Sequence, residues 1–232
     1  MRHVNRDADA DPETLRLSMD TKATVNLGRY SRGGQSRGQE PVAALDHDMR
    51  AKDKLIPGGI LEVSSGRAFL FFSHSNKTSD FMADGLWAWW SKRQSDLTRV
   101  KRLVVNLDNG PECNAHRSQF LRRMLAFADG TGLTVRLVYY PPYHSKYNPI
   151  EHYWGGLERS WNGYLLDSAE GVMNRAANFA WRGVRTTVTL LGTVYAKGVR
   201  LCAKERAKDE VRLQRSALLP WWDVTITPLT VV

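Results

Sequence analysis

Cysteine is scarce in this chain: Cys113 and Cys202 are the only two in 232 residues. They lie far apart, so no disulfide framework is available, and a reducing compartment fits better than a secreted scaffold. Long apolar runs are lacking too. No stretch approaches the roughly eighteen consecutive apolar residues of a bilayer-crossing helix, and the opening MRHVNRDADADPE contains no hydrophobic segment that could serve as a signal peptide. The sequence thus reads as that of an intracellular, cytoplasmic protein. Negative charge is also in short supply. Against 33 Lys and Arg stand 24 Asp and Glu, a formal net charge of +9 that attracts polyanions, nucleic acid first among them. Wholesale disorder is excluded by what is present, 42% hydrophobic and 10% aromatic residues, enough to bury a core.

The first thirteen residues are polar and locally acidic and read as a flexible lead-in to a domain spanning 14–232. Leu15, Leu17 and Met19, then Ala23, Val25 and Leu27, alternate with polar residues at the period of strands with one buried face. SRGGQSRGQEP then reads as a mobile basic loop, in which Arg29 just before it, Arg32 and Arg37 are candidates for DNA phosphate contacts, with a merely solvated loop as the alternative. Ile60 to Val63 and Ala68 to Phe72 flank Ser-Ser-Gly-Arg as a hairpin. Ser79 to Lys92 has helical spacing of Phe81, Leu86, Trp89 and Trp90, with Asp80 in the first turn. Leu103 to Asp108 and Val135 to Tyr140 read as buried strands, separated by a helix over Ser118 to Ala128. A helix-rich stretch closes the chain, including Lys197 to Arg215, whose seven basic and three acidic residues suit a solvated helical face. Strands followed by alternating strands and helices predict an α/β mixed sheet covered by helices.

Three acidic residues interrupt these patterns. Asp20 follows an apolar strand, Asp108 ends the run LVVNLD, and Glu151 follows YHSKYNP. Each has an ordinary alternative. Asp20 and Asp108 suit turns, and Glu151 suits a capping box with Asn148 at the N-cap and Pro149 at the first helical position. Adjacent strand ends in a mixed sheet, however, bring two aspartates together, and a following helix can aim a glutamate at the same point. Three clustered carboxylates repel one another unless divalent cations neutralise them. Hard oxygen ligands select Mg²⁺ or Mn²⁺, and a pair of such ions supports in-line displacement at a phosphodiester.

LVVNLDNGPE, LVYYPPYHSKYNPIEHYWGGLE and the upstream SMDTKATVNLGRYSRGGQSR together resemble the catalytic region of ISAzo13-family insertion-sequence transposases, part of the wider DDE group related in pattern to IS630 and mariner enzymes. The likeness runs from about Leu15 to the C-terminal PWWDVTI. It implies a ribonuclease H-like fold, with a central mixed five-stranded sheet flanked by helices and a C-terminal helical extension. It also implies that Asp20, Asp108 and Glu151 form a catalytic, metal-binding triad holding two Mg²⁺ or Mn²⁺ ions when DNA is bound. The strand of Asp20 should lie centrally beside that of Asp108, and the forty-two residues between Asp108 and Glu151 accommodate a helix, a strand and a turn. The activity implied is DNA cleavage and strand transfer at insertion-sequence ends, within a homo-oligomeric synaptic complex. A ribonuclease H-like nuclease, or an inactive DNA-binding remnant, are the alternatives. Family members carry an N-terminal DNA-binding region before the first aspartate, whereas nineteen residues precede Asp20, so an N-terminally truncated chain with little DNA sequence preference is expected.

Lys22, Asn109, His144 and Lys146 neighbour the triad and are candidate DNA contacts, Asn109 also as an orienter of Asp108, with exposed turn positions as the alternative. His152 follows Glu151 by one helical residue and points about 100° away, so it is not expected to be a ligand. Glu158 lies two turns beyond Glu151 on the same face, a weaker candidate for a fourth acidic group that a surface role suits better. Ile150, Trp154, Leu157 and Trp161 form a stripe that suits core packing better than base stacking. Cys113 and His116 make one C-x-x-H pair without the second pair a zinc site needs.

Overall fold

The computed structural model describes residues 1–35, 42–46, 51–141 and 147–229. Its core is built from two strand groups that share one sheet. Strands β1 (Thr14–Thr21), β3 (Lys54–Glu62) and β4 (Ala68–Ser73) form an antiparallel meander, with the short β2 (Val25–Asn26) paired to the start of β3. Helix α2 (Ser79–Arg93) then crosses to β5 (Arg102–Leu107), and α3 (Ser118–Thr131) crosses to β6 (Thr134–Tyr139), so β5 and β6 run parallel to β1. The five strands in the order β4-β3-β1-β5-β6 are the centre expected from the sequence. A separate ribbon pairs β7 (Ala180–Trp181) with β8 (Val184–Arg185), and the main sheet is wider than those five strands. Strand β9 (Thr187–Leu190) extends it beside β4, while β11 (Asp223–Ile226) and β10 (Leu213–Arg215) extend it beyond β6.

Strand alternation assigns each face. Leu15, Leu17, Met19, Leu103, Val105, Leu107, Val135 and Leu137 point into a core covered by α2 and α3. The opposite face packs Leu55, Leu61, Leu70 and Phe72 against Ile150, Tyr153, Trp154, Leu157 and Trp161 of α4 (Pro149–Trp161) and against α5 (Ala169–Asn178). The Ile150 to Trp161 stripe is therefore core, as its spacing predicts. Thr78 caps α2 by accepting the Phe81 N–H, and α3 stops at Gly132, whose φ of 72° favours glycine.

Two expectations fail locally. Residues 1–13 are not a loose lead-in: Arg2–Ala10 forms helix α1, which seats Met1, Val4 and Ala8 on Val104 and Val138. Those three apolar residues sit at helical spacing, but the surrounding charges hide the pattern, and those charges find partners in the sheet. Asp9 pairs with Arg16, and Asn5 accepts from Asn106. Lys197 to Arg215 is likewise not one helix. Only Ala203–Glu210 is helical (α6), and Leu213–Arg215 is strand β10. Part of its charge docks, Glu205 and Asp209 on Arg122 of α3 and Arg212 on Asp129, while Lys197, Arg200, Lys204, Arg206 and Lys208 are exposed as expected. Among the described residues no helix is long and apolar enough to cross a membrane.

Candidate active site

Strand register brings the first two carboxylates together. Met19 of β1 pairs with Leu107 of β5, so Asp20 and Asp108 occupy the next step on adjacent parallel strands, which lie about 4.8 Å apart, and side chains at matched positions share a face. Asp20 lies inside β1, opposite Gly59 of β3. That glycine has a packing reason: a Cβ there would stand 2.7 Å from the Trp154 ring, so its absence lets the indole of α4 lie against the sheet. From that position Trp154 Nε1 donates to Asp20 Oδ2 at 3.2 Å. Glu151 is one turn earlier on the same helix.

Electrostatics confirm that the three share a field. Asp20, 6% exposed, has its pKa pushed up to about 7, by burial first, then by the charges of Asp108 and Glu151, with its hydrogen bond from the Thr21 backbone and the charge of Lys77 acting the other way. Glu151 is also raised, by burial foremost. Lys22 opposes that shift, and the negative charges of Asp108 and Glu158 add to it. The Asp108 carboxylate accepts the Gly110 N–H at 3.2 Å and faces the Cys113 thiol at 3.6 Å.

The neighbours resolve unevenly. Lys22 is the expected residue with the clearest place: its ammonium lies 2.7 Å from Glu158 and 5.9 Å from the centre of the Trp154 ring. Glu158, expected merely at the surface, thus holds the lysine beside the triad. Asn109 is exposed, and among the described residues the donors to the Asp108 carboxylate are the Gly110 backbone and the Cys113 thiol rather than Asn109. Arg32 folds back to donate to the Asn26 carbonyl at 2.5 Å. Arg37, His144 and Lys146 lie outside the described residues. The capping box expected at Glu151 is absent, because Asn148 makes no side-chain cap to its own helix.

Two residues escaped the sequence reading. Glu112 turns its carboxylate back toward Asp108, and a Cβ added at Gly110 would meet Asp108 Oδ1 at 3.0 Å and Glu112 Oε2 at 3.2 Å. Lys77 lies 3.8 Å from Glu112, and its charge opposes the upward shift of Asp20. The signal available was the run Asp-Asn-Gly-Pro-Glu, whose turn returns the glutamate to the aspartate.

Among the described residues no three His, Cys, Asp or Glu side chains are close enough to hold an ion as they stand. The donor set nonetheless fits a hard divalent cation. It offers only carboxylate oxygens, and bound positive charge would offset both the burial and the repulsion that raise Asp20. Gly110 also leaves open the space between two of the carboxylates.

Comparison with solved structures places this arrangement in a known fold. The Mos1 mariner paired-end complex with Mn aligns with a TM-score of 0.51 at 9% identity, over 75% of this chain and 50% of the Mos1 chain. The Mos1 transposase paired-end complex with its left transposon end aligns at 0.48 and 10% identity, over the same shares. The chain thus matches about half the length of these proteins, and the first likeness shows a ribonuclease H-like fold. No curated protein matches the sequence. The family model described as the Rhodopirellula transposase DDE domain matches residues 1–228. A sheet that sets Asp20 beside Asp108, a helix that brings Glu151 to them, and a family match over nearly the whole chain lead to one conclusion: this chain belongs to the ISAzo13-type family of transposase DDE domains.

Proposed function

We propose that the chain is the catalytic domain of an insertion-sequence transposase whose working carboxylates are Asp20, Asp108 and Glu151. The observation that carries this reading is the raised Asp20, buried at the end of a central strand in the combined field of the other two. The three would hold two Mg²⁺ or Mn²⁺ ions, which supply charge to an attacking oxygen and to the leaving oxygen when bound. In the first reaction a water oxygen bonds to phosphorus at the element's end, and the bond to the 3′ oxygen breaks, releasing a 3′-hydroxyl. In the second, that hydroxyl bonds to phosphorus in target DNA and displaces a target 3′ oxygen. The residues of the chain orient these steps. Trp154 fixes one Asp20 oxygen, the Gly110 N–H fixes Asp108, and Lys22 and Lys77 flank the cluster where DNA phosphates would pass. The partners are DNA, both element end and target, and further copies of the chain in a synaptic complex, acting in the bacterial cytoplasm.

Purified protein with Mn²⁺ and DNA carrying the ends of its own element tests the reading. Cleavage followed by joining of the cut end to target DNA is expected, with both lost in Asp108→Asn. Cleavage without joining would replace transposase by nuclease, and cleavage that survives Asp108→Asn would remove the triad.

A further inference from the structure

Helix α4 is not capped by its own N-terminal residue but by the strand beneath it. Ser18, fully buried two residues before Asp20 on the same face of β1, accepts the Ile150 backbone N–H at 2.9 Å. Its hydroxyl donates in turn to Asn148 Oδ1 at 2.5 Å. Asn148 is the N-cap residue and is fully buried, yet its side chain reaches away from its helix to the strand. The arrangement leaves Asn148 Nδ2 buried without a partner among the described residues. Had helix stability alone been served, the asparagine could have bonded its own first turn, the ordinary habit of this residue type. What the strand-borne cap adds is registration. One hydroxyl, a single same-face step from Asp20, fixes the Pro149–Ile150 peptide, one residue ahead of Glu151.

We propose that Ser18 and Asn148 are positioning residues for the carboxylate cluster, setting Glu151 at the height of Asp20 so that both face one cation. This inference rests on the reading of Asp20, Asp108 and Glu151 as the metal-holding group. Neither residue touches the ion. They act as hydrogen-bonding partners behind metal ligands do, by restricting where the ligand can stand.

The test is Mn²⁺ binding to the full chain without DNA, read from the spin-resonance signal of the free ion, at a temperature where circular dichroism shows every variant folded. Ser18→Ala should weaken binding about 10- to 100-fold, the range for residues that orient metal ligands. Ser18→Thr, which keeps the hydroxyl, should bind more tightly than Ser18→Ala. Asn148→Ala removes the acceptor that orients the Ser18 hydroxyl toward the Ile150 amide and should also weaken binding, so it carries the test if Ser18→Ala does not fold. If Ser18→Ala and Asn148→Ala bind Mn²⁺ like the wild type while Asp108→Asn has lost it, the positioning role is overturned and the triad stands. If Asp108→Asn binds like the wild type, the triad reading falls, and this inference with it. If neither alanine variant folds at any temperature, the link serves the fold as a whole and the positioning role is likewise overturned.

Discussion

Trp154 donates its indole N–H to Asp20 Oδ2 across 3.2 Å, joining the helix that carries Glu151 to the strand that carries the first aspartate. The bond is buried at both ends and exists because Gly59 leaves room for the ring. A core tryptophan thus also serves the carboxylate site. Trp154→Phe keeps most of the packing but removes the donor, and should destabilise the fold by about 1–3 kcal/mol, the range for a buried acceptor left without its partner. Urea unfolding measures this; an unchanged midpoint would mean the bond contributes nothing.

Asp20 makes the metal-free protein sensitive to pH. Its folded pKa of about 7 lies above the ordinary carboxyl value of 3.8, so between these values the folded state binds more protons than the unfolded state. This group's contribution to stability is therefore undiminished below the unfolded value and falls as pH rises toward 7. In chelator, wild type should lose stability over that window, and Asp20→Asn should lack this loss. The difference at pH 8 is on the order of 4 kcal/mol in favour of the variant. Saturating Mn²⁺ should reverse the ranking. Thermal melts across pH 4 to 8 check the sign, and a variant less stable than wild type at pH 8 without metal would refute it.

Gly110→Ala inserts a Cβ about which Asp108 and Glu112 now close. The residue is partly exposed and its backbone is not left-handed, so the fold should tolerate the change. Metal binding should not, because the added methyl enters the gap between the two carboxylates. Loss of Mn²⁺ affinity with melting shifted by less than a few degrees is expected. Equal affinity would place the ions elsewhere.

Glu62 is 3% exposed and accepts from Arg93, Trp89 and Ser65. Removing the guanidinium in Arg93→Ala strands a buried charge and should destabilise by about 3–5 kcal/mol. Glu62 lies three residues along β3 from Gly59, the partner of Asp20, so it is about 10 Å further down the sheet. Mn²⁺ affinity of the remaining folded protein should match wild type. Denaturation and metal titration on the same sample separate the two effects.

On the proposed function Lys22, held by Glu158, would meet a DNA phosphate. Lys22→Ala should lower the slope of log affinity for duplex DNA against log salt by about 0.9, the loss of one phosphate contact. Filter binding at several salt concentrations measures it, and an unchanged slope would remove Lys22 from the interface.

Much of the architecture was legible because the signals were local. The apolar alternation of Leu15 to Met19, the runs LVVNLD and VRLVYY, and the stripe from Ile150 to Trp161 each declare an element and its buried face. The outer strands were not legible. Thr187–Leu190 and Asp223–Ile226 are four residues each, too short for a period to show, and they become strands because β4 and β6 offer unpaired edges. The same holds for α1, whose three apolar contacts are diluted among charges.

The sequence alone determined the three acidic positions and the elements that carry them, because strand and helix patterns arise from neighbouring residues. Only the tertiary structure decided their surroundings. Trp154 on Asp20, Ser18 on the Ile150 amide, Lys77 and Glu112 at the rim all join residues on separate elements. Such pairings follow from sheet register and helix docking, which no local pattern of residues encodes.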